Sequence, residues 1–597
     1  MPTRELDVVA DVPDLRDLLY QPRLDPLPPQ VHPPGNLTIL DQGQEGACTG
    51  FGLAAVVNLL LANQSRDQTV SPRMLYAMAQ RFDEWPGEDY SGSSCRGAIR
   101  GWHYNGVCPA SDWPYKPDQP GILTLARARA ARAITPGAYY RVSPRVSDYH
   151  AALNETGVLF ASARVHTGWN NPRNGVITPG GKATGGHAFA VVGYDDDGFW
   201  IQNSWGVDWG RAGLAHWAYA DWRDSVMDAW VVQLARPTPD IFPGYAAEAM
   251  REKGSLAPQR TPTRLEIAGH FVHLDDGRFD DCGKYFSNID DVRQTASVLE
   301  TSVDYDHLLL YAHGGLNDVE ASACRIRDMK EIYKANRIYP YHFMWDTGLF
   351  EELKDVIFGV RSRASQRVEG FSDFSDVLIE KFASKLGTLV WDEMKHDAQR
   401  PFDGRSADGT RTVRELVRAA GRNPHRIKVH LAGHSAGAIF MNRLIDAIPR
   451  IDKQMRVETL TLWAPADRHD AFAKRVIPRI GATKAVKNLR IAVLADDLER
   501  DDTVTPAYRK SLLYLVSRAF EGSNPGKILG MERYVDELPA ALRKRVFVSK
   551  GVDDGKAVTA SRTHGGFDND PLSLNRLLED ILGKAPTRPF RKGDVSA

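Results

Sequence analysis

Between Cys48 and Asn63 the chain is apolar on nearly every side: Phe51, Leu53, Ala54, Ala55, Val56, Val57, Leu59, Leu60 and Leu61 leave no polar stripe. A helix of that kind must be buried on most faces, so the fold of this part of the chain has to be built around it. It opens from Gln42-Gly43-Gln44-Glu45-Gly46-Ala47-Cys48-Thr49-Gly50-Phe51-Gly52, a glycine-punctuated turn with a cysteine at the helix start. Unpaired backbone N–H groups and the positive end of the helix dipole favour the thiolate there, which predicts a lowered thiol pKa. The stretch presents a nucleophile as well as a core element.

At 597 residues the chain is too long for one core, and two domains are the simplest division. A formal net charge of −1 gives no electrostatic reason to expect nucleic acid or an anionic membrane as a partner. Five cysteines, Cys48, Cys95, Cys108, Cys282 and Cys324, form no CxxC pattern, and their odd number leaves at least one thiol free. A reducing compartment is the expectation, and nothing in the pattern requires a metal or a cofactor. The first residues, Met1-Pro2-Thr3-Arg4-Glu5-Leu6-Asp7, bring acids early and lack the apolar core of a secretory signal. No apolar run reaches the roughly 18 residues of a membrane span. The sequence thus predicts a cytoplasmic protein without a transmembrane segment, leaves export by a signal-less route open, and carries no mark of a particular oligomeric state.

Read in order, residues 1 to about 40 are rich in proline and acid and predict an extended lead-in. The run from Ala126 to Ala133 reads as a solvated helix. Ala188–Tyr194 and Phe199–Asn203 flank the turn Asp195-Asp196-Asp197-Gly198 and predict a β-hairpin, which returns Asn203 toward His187. Prolines 237, 239, 243, 258 and 262 mark a linker over 236–263. Domains are therefore expected over 1–235 and 264–597. In the second, apolar strands at His307–Ala312, Tyr341–Trp345, Lys428–Ala432, Thr459–Trp463, Leu489–Ala495 and Arg545–Ser549 alternate with helical segments, the signature of a mostly parallel sheet. A long insertion with helical patterns, Leu349–Val360 and Val377–Val390 among them, occupies about 346–423.

Acyl transfer by a thiol needs an imidazole to hold the proton and a third polar group to fix that imidazole's tautomer. Cys48, His187 and Asn203 supply these in chain order. A lone cysteine is more often a small buried hydrophobe, so the inference rests on what surrounds each residue. Asp41-Gln42-Gly43 precedes Cys48, Gly185-Gly186-His187-Ala188 surrounds the histidine, and Asn203-Ser204-Trp205-Gly206 is followed by Trp209-Gly210. Through these blocks the sequence resembles the papain-like (C1-type) cysteine peptidases. That resemblance implies an α+β domain with a helical half and a β-barrel-like half. It makes Cys48 the nucleophile, His187 the general acid and base, and Asn203 the orienting residue. Gln42 would form the oxyanion hole with the Cys48 backbone N–H, and Trp205 would shield the His187–Asn203 hydrogen bond. Gly92 and Ser93 fall where the family's glycine-rich substrate-binding strand would be. Three features depart from the family: Thr49 stands for its tryptophan, Glu45 for a cysteine that is normally disulfide-bonded, and the lead-in is too short for its helical propeptide. Some other restraint is then needed, or none exists, and the C-terminal domain or the linker is the hypothesised source.

The second domain carries Gly433-His434-Ser435-Ala436-Gly437 between the strand Lys428–Ala432 and a helical pattern. A bare GxSxG is weak, but a strand-to-helix position is what a nucleophile elbow requires. Upstream, a strand ends in His313-Gly314-Gly315; downstream come an acid cluster (Asp496, Asp497, Asp501, Asp502) and His564. This order resembles the α/β-hydrolases, and it implies Ser435 as nucleophile and His564 as base. Asp502, ahead of Asp497 and Asp501, is the acid, with an oxyanion hole from Gly314, Gly315 and the Ala436 N–H. Arg562 and Asp568, near His564, suit a solvated loop equally well.

The sequence as a whole predicts a bifunctional hydrolase, with a thiol site cutting peptide bonds and a serine site cutting an ester, amide or lipid. It also admits a peptidase whose second domain is a recognition module, or a thiol-dependent acyl transferase in an effector protein.

Overall fold

The computed structural model describes residues 4–23, 25–83, 92–117, 119–235, 260–315, 318–345, 387–503, 508–521 and 525–595. The chain forms two compact units that divide near residue 260. Most of the linker range, 236–259, lies outside the described residues, as do 346–386 of the insertion with the helical pattern Leu349–Val360. Residues 387–390, the end of the second helical pattern, are helical.

In the first unit, helices α1 (Cys48–Asn63), α2 (Pro72–Arg81) and α3 (Cys95–Asn105) pack on one another. Thirteen residues of α1 are buried, as its all-round apolar pattern demands. Ser71 and Ser94 cap α2 and α3 by accepting backbone N–H bonds from Met74 and Gly97. Strands β1 (Pro136–Arg141), β2 (Leu159–His166), β3 (Ala183–Tyr194), β4 (Gly198–Gln202), β5 (Leu214–Ala218) and β6 (Val226–Leu234) form an antiparallel sheet in the order β1-β6-β2-β3-β4-β5. The hairpin β3–β4 turns at Asp195–Asp197 and brings Gln202 opposite Ala190. Helix α4 (Leu125–Ala131), within the alanine and arginine run, buries Ala131 alone. One side of the unit is thus helical and the other a sheet, with α1 packed against β3.

The second unit is an eight-stranded sheet: β7 (Phe271–Asp275), β8 (Arg278–Phe279), β9 (His307–Ala312), β10 (Ile338–Trp345), β11 (Lys428–His434), β12 (Val457–Trp463), β13 (Val486–Leu494) and β14 (Val546–Ser549). The order is β14-β13-β12-β11-β9-β10-β7-β8, parallel throughout except for the β7–β8 hairpin. Strands β9 to β13 are buried along almost their whole length, which explains their continuous apolar runs. β7 has no counterpart in the sequence reading, because His273 interrupts its apolar run of five residues.

Five histidines of this sheet unit are buried and held neutral: His270 is pushed down to about 3, His313 to about 4, His430 and His564 to about 3, and His342 well below its ordinary value, burial being the main cause in each. Below pH ~6.5 each takes up a proton only on unfolding, so each contributes stability that is lost as the pH falls. Glu499, raised by burial to about 8, and Asp397, raised by burial to about 7, act in the opposite sense but are fewer. The thermal midpoint of this unit is therefore expected to drop on acidification from pH 7 to pH 5. A flat or rising midpoint in calorimetry would contradict these protonation states.

Candidate active sites

Cys48 is the first residue of α1, and its sulfur accepts a hydrogen bond from the Ala188 N–H, the residue after His187 on β3. The packing of α1 on β3 therefore sets Cys48 beside the residue that follows His187. His187 Nε2 lies 2.7 Å from Asn203 Oδ1 just past the end of β4, leaving Nδ1 buried without a hydrogen-bond partner. The Trp205 ring lies 4.8 Å from the His187 ring, centroid to centroid, and Trp205 is buried, so water is kept from the His187–Asn203 bond. Gln42 is held by its side-chain Oε1, which accepts from Ser204 Oγ at 2.7 Å, while its Nε2 donates to Glu45 O at 2.9 Å. Ser204, which fixes the amide of Gln42, is a positioning residue the sequence reading passed over although it stands next to Asn203.

The site is closed by the chain's own N-terminal segment. Glu5 N donates to Gln44 O, Gly186 N to Leu6 O at 3.1 Å, and Val8 N to Gly186 O at 3.3 Å, so Leu6–Val8 pair in parallel with the residue preceding His187. The Arg4 guanidinium lies 4.8 Å over the Trp205 ring. Glycines make this approach possible. A Cβ on Gly186 would stand 1.9 Å from Val8 O, and one on Gly92 would stand 2.1 Å from Asp7 O. Gly92 thus faces the strap, and Ser93 instead turns inward, its Oγ 2.5 Å from Thr49 Oγ1. These contacts supply a restraint within the first unit itself, and the linker residues 236–259 invoked by the expectation lie outside the described residues. A helical propeptide needs a long segment, but an extended strap covers ~3.3 Å per residue and crosses a cleft with a handful.

Closure also reverses the predicted thiol pKa. Burial pushes Cys48 up to about 12, against the backbone hydrogen bonds that favour the thiolate, and pushes His187 down to about 4. In a dry pocket the cost of charge outweighs the helix N-terminus, so the pair rests as neutral thiol and neutral imidazole. Where the family has a disulfide cysteine, Glu45 makes a bidentate pair with Arg73, both contacts at 2.6 Å, and accepts from Tyr115 Oη at 2.9 Å. None of the five cysteines forms a disulfide.

In the second unit β11 runs into Ser435 and a helix follows over Ala436–Ile451. Ser435 has φ +52° and ψ −116°, a backbone that side chains other than hydrogen rarely adopt. It is held there by Ser435 N to Trp463 O, and by Ala438 N and Ala466 N to Ser435 O. A Cβ on Gly437 would lie 2.2 Å from Ala312 O, so the turn requires glycine at that point. His564 Nε2 lies 2.9 Å from Ser435 Oγ, and its backbone N–H donates to Asp502 Oδ2 at 2.7 Å. Of the clustered acids, Asp496 instead bonds Tyr514 Oη and Arg500, and Asp497 caps the N–H of Leu498. His564 Nδ1 is buried without a partner. Gly314 stands against Ser435, where a Cβ on it would be 3.4 Å from Ser435 Cβ. Ala436, the residue after the serine, opens the helix, and Gly315 follows in the same loop as Gly314.

The reading of Asp568 as a solvated loop acid is corrected: it is 1 % exposed. Asp568 accepts from Tyr311 Oη at 2.7 Å and pairs with Arg325 at 3.1 Å, and His434 Nδ1 lies 3.4 Å away. Although burial opposes it, the Arg325 guanidinium and His434 hold the Asp568 carboxyl well below the usual range. His434 Nε2 in turn donates to His564 O at 2.9 Å, so this ionised network anchors the histidine turn from behind. The sequence offered one signal for it, an Asp four residues past His564, and no way to see Tyr311 or Arg325 converge on it.

Residues 35–226 match the family model for papain family cysteine proteases. An uncharacterized peptidase C1-like protein of Acanthamoeba polyphaga mimivirus is 26 % identical over 223 residues, which are 34 % of this chain and 71 % of that protein. A gut-specific cysteine proteinase of Caenorhabditis elegans is 24 % identical over 206 residues, 30 % of this chain and 62 % of that one. Among solved structures, xylellain, a cysteine protease from Xylella fastidiosa, shares 26 % identity and is covered over 99 % of its length by 40 % of this chain, with a TM-score of 0.37. Residues 35–226 are thus a papain-like cysteine peptidase domain. No helix among the described residues is long and apolar enough to cross a membrane.

Proposed function

We propose that the chain is a two-site hydrolase, whose first site cuts peptide bonds through Cys48 and whose second cuts an ester, amide or lipid through Ser435. The first half of this reading is carried by the hydrogen bond of His187 Nε2 to Asn203 Oδ1 within a domain matched to the papain family. Once the strap leaves and water reaches the pocket, His187 Nδ1 takes the thiol proton and the Cys48 sulfur attacks the peptide carbonyl. The oxyanion is held by the Cys48 N–H and Gln42 Nε2, which turns from Glu45 O. His187 returns the proton to the leaving amine, then takes one from the water that hydrolyses the thioester.

The second half is supported by the strained Ser435 facing His564 Nε2 at 2.9 Å. His564, neutral across the physiological range, accepts the serine proton, and the Ala436 N–H with the Gly314–Gly315 loop receives the oxyanion. Asp502, which accepts from the backbone N–H of His564, is the acid assigned to orient its ring. The strand-to-helix elbow and the order serine, acid, histidine support an α/β-hydrolase-like unit with this chemistry.

The test is labelling of wild type, Cys48→Ala and Ser435→Ala by an epoxysuccinyl thiol probe and a fluorophosphonate. Each probe is expected to lose its signal in one variant only, and a fluorophosphonate signal absent from wild type would remove the serine half. The strap makes a further prediction. Leu6→Asp with Val8→Pro removes an apolar anchor and the Val8 N–H, and is expected to speed alkylation of Cys48 at least ~10-fold, one decade per ~1.4 kcal/mol of lost anchoring. Equal alkylation rates would show that the strap does not limit access.

A further inference from the structure

We propose that the arginine pair Arg96 and Arg141, filled in this structure by acids of the strap, is a substrate subsite that selects peptides with an acidic side chain to one side of the bond cut. The inference rests on the papain-like reading of Cys48 and adds its substrate class.

The sheet register locates the subsite. Ala188, whose N–H holds the Cys48 sulfur, is opposite Ser162 on β2, and Ser162 is opposite Asp228 on β6. Successive partners on adjacent strands face the same side, here toward the start of α3, where the Cys95 thiol meets Ser162. Arg96 follows Cys95 there. The row of residues that begins beside the thiol, Ala188, Ser162 and Asp228, thus ends next to Arg96, with Arg141 at the end of β1 beyond Asp228.

The strap traces this row. Asp7 stands against Gly186 beside the thiol, and four residues on Asp11 N donates to Asp228 Oδ2 at 2.9 Å. Asp11 accepts from Arg96 N and from Trp230 Nε1, each at 2.9 Å. Asp17 takes the guanidinium of Arg96, through Nε at 3.1 Å and through Nη2, and lies 3.4 Å from Arg141 Nη1. Arg141 Nη2 is 2.5 Å from Asp228 Oδ1. Arg96, Asp11 and Asp228 are each less than 5 % exposed.

Charge decides what can replace the strap. The subsite contributes Arg96, Arg141 and Asp228, and the strap contributes Asp11 and Asp17. With the strap gone, both guanidiniums lose the Asp17 carboxylate, and the Arg96 N–H and Trp230 Nε1–H lose Asp11 as their acceptor. An apolar side chain would leave these donors buried and unmet at ~1–3 kcal/mol each, and a lysine would add a third cation. A carboxylate restores the set. Burial and Asp228 push Asp11 up to about 7, so the guanidinium end, where Asp17 sits, is the better place for a substrate's charge.

The experiment uses the full chain carrying Leu6→Asp and Val8→Pro, and peptide sets that differ at one position by Glu, Gln, Leu or Lys. The Glu peptides are expected to exceed their Gln counterparts in kcat/KM by at least about tenfold, the scale of one charge-assisted hydrogen bond. Arg141→Glu, at a partly exposed position, is expected to abolish that preference and favour Lys. Arg96→Met is expected to lower the Glu rate while epoxysuccinyl labelling of Cys48 persists. If Cys48 labels and peptides are cut with no acid preference, or with one that Arg141→Glu leaves unmoved, the subsite is wrong and the peptidase reading stands. If no peptide is cut and Cys48 does not label, both fall.

Discussion

Cys48→Ala is expected to lower peptide hydrolysis by the strap-released full chain by at least ~10⁴-fold, the scale of losing a covalent nucleophile. Alanine fits the buried position, so the variant should keep its fold, and the His187–Asn203 bond should persist because neither partner hydrogen-bonds to the thiol. Asn203→Ala should cost far less, because it leaves nucleophile and base in place and loses only the bond that fixes the ring. Matching rates for wild type and Cys48→Ala would place the nucleophile elsewhere. Hydrolysis of a chromogenic peptide, with fluorophosphonate labelling of the same samples as a folding control for Ser435, makes the comparison.

Ser435→Gly and Ser435→Ala are expected to abolish fluorophosphonate labelling alike but to diverge in stability. In ordinary backbone glycine is ~0.5–1 kcal/mol less favourable than alanine. At φ +52° and ψ −116° the order should invert, with the glycine variant the more stable by ~1–3 kcal/mol, because only alanine retains the strain. Denaturant midpoints of the two variants measure the difference directly. Alanine equal to or above glycine would mean that the elbow stores no strain, and the case for a poised nucleophile would weaken with it.

How much of this was legible depended on whether the determinant was local. The all-round apolar run from Cys48 marks a central helix without any partner in view, and the buried parallel strands announce themselves because both their faces are apolar. The residues proposed for the thiol site each sit in a short block of their own, at a helix start, near the start of a strand or just past the end of one, so local sequence can point to them. The strap was not readable: Leu6, Asp7 and Val8 carry no pattern of their own, and their place is set by glycines about 85 and 180 residues away. Asp568 was misread for the same reason. An acid beside glycines looks solvated until Tyr311 and Arg325 arrive from β9 and from the helix Val319–Ala335. The thiol pKa failed differently, since the helix-end argument holds locally and was overruled by closure from a distant segment.

The ion pair of Glu45 with Arg73 has a consequence for handling the protein. With a carboxylate and a guanidinium doing the work of a crosslink beside Cys48, a reductant finds no bond in the scaffold to break, and an oxidant finds none to make there. Dithiothreitol should therefore leave the melting behaviour of the first unit unchanged while restoring any oxidised nucleophile. What loosens the turn that carries Cys48 is acid strong enough to protonate Glu45, whose carboxyl is held below its ordinary value by Arg73 and Tyr115 against the opposing effect of burial.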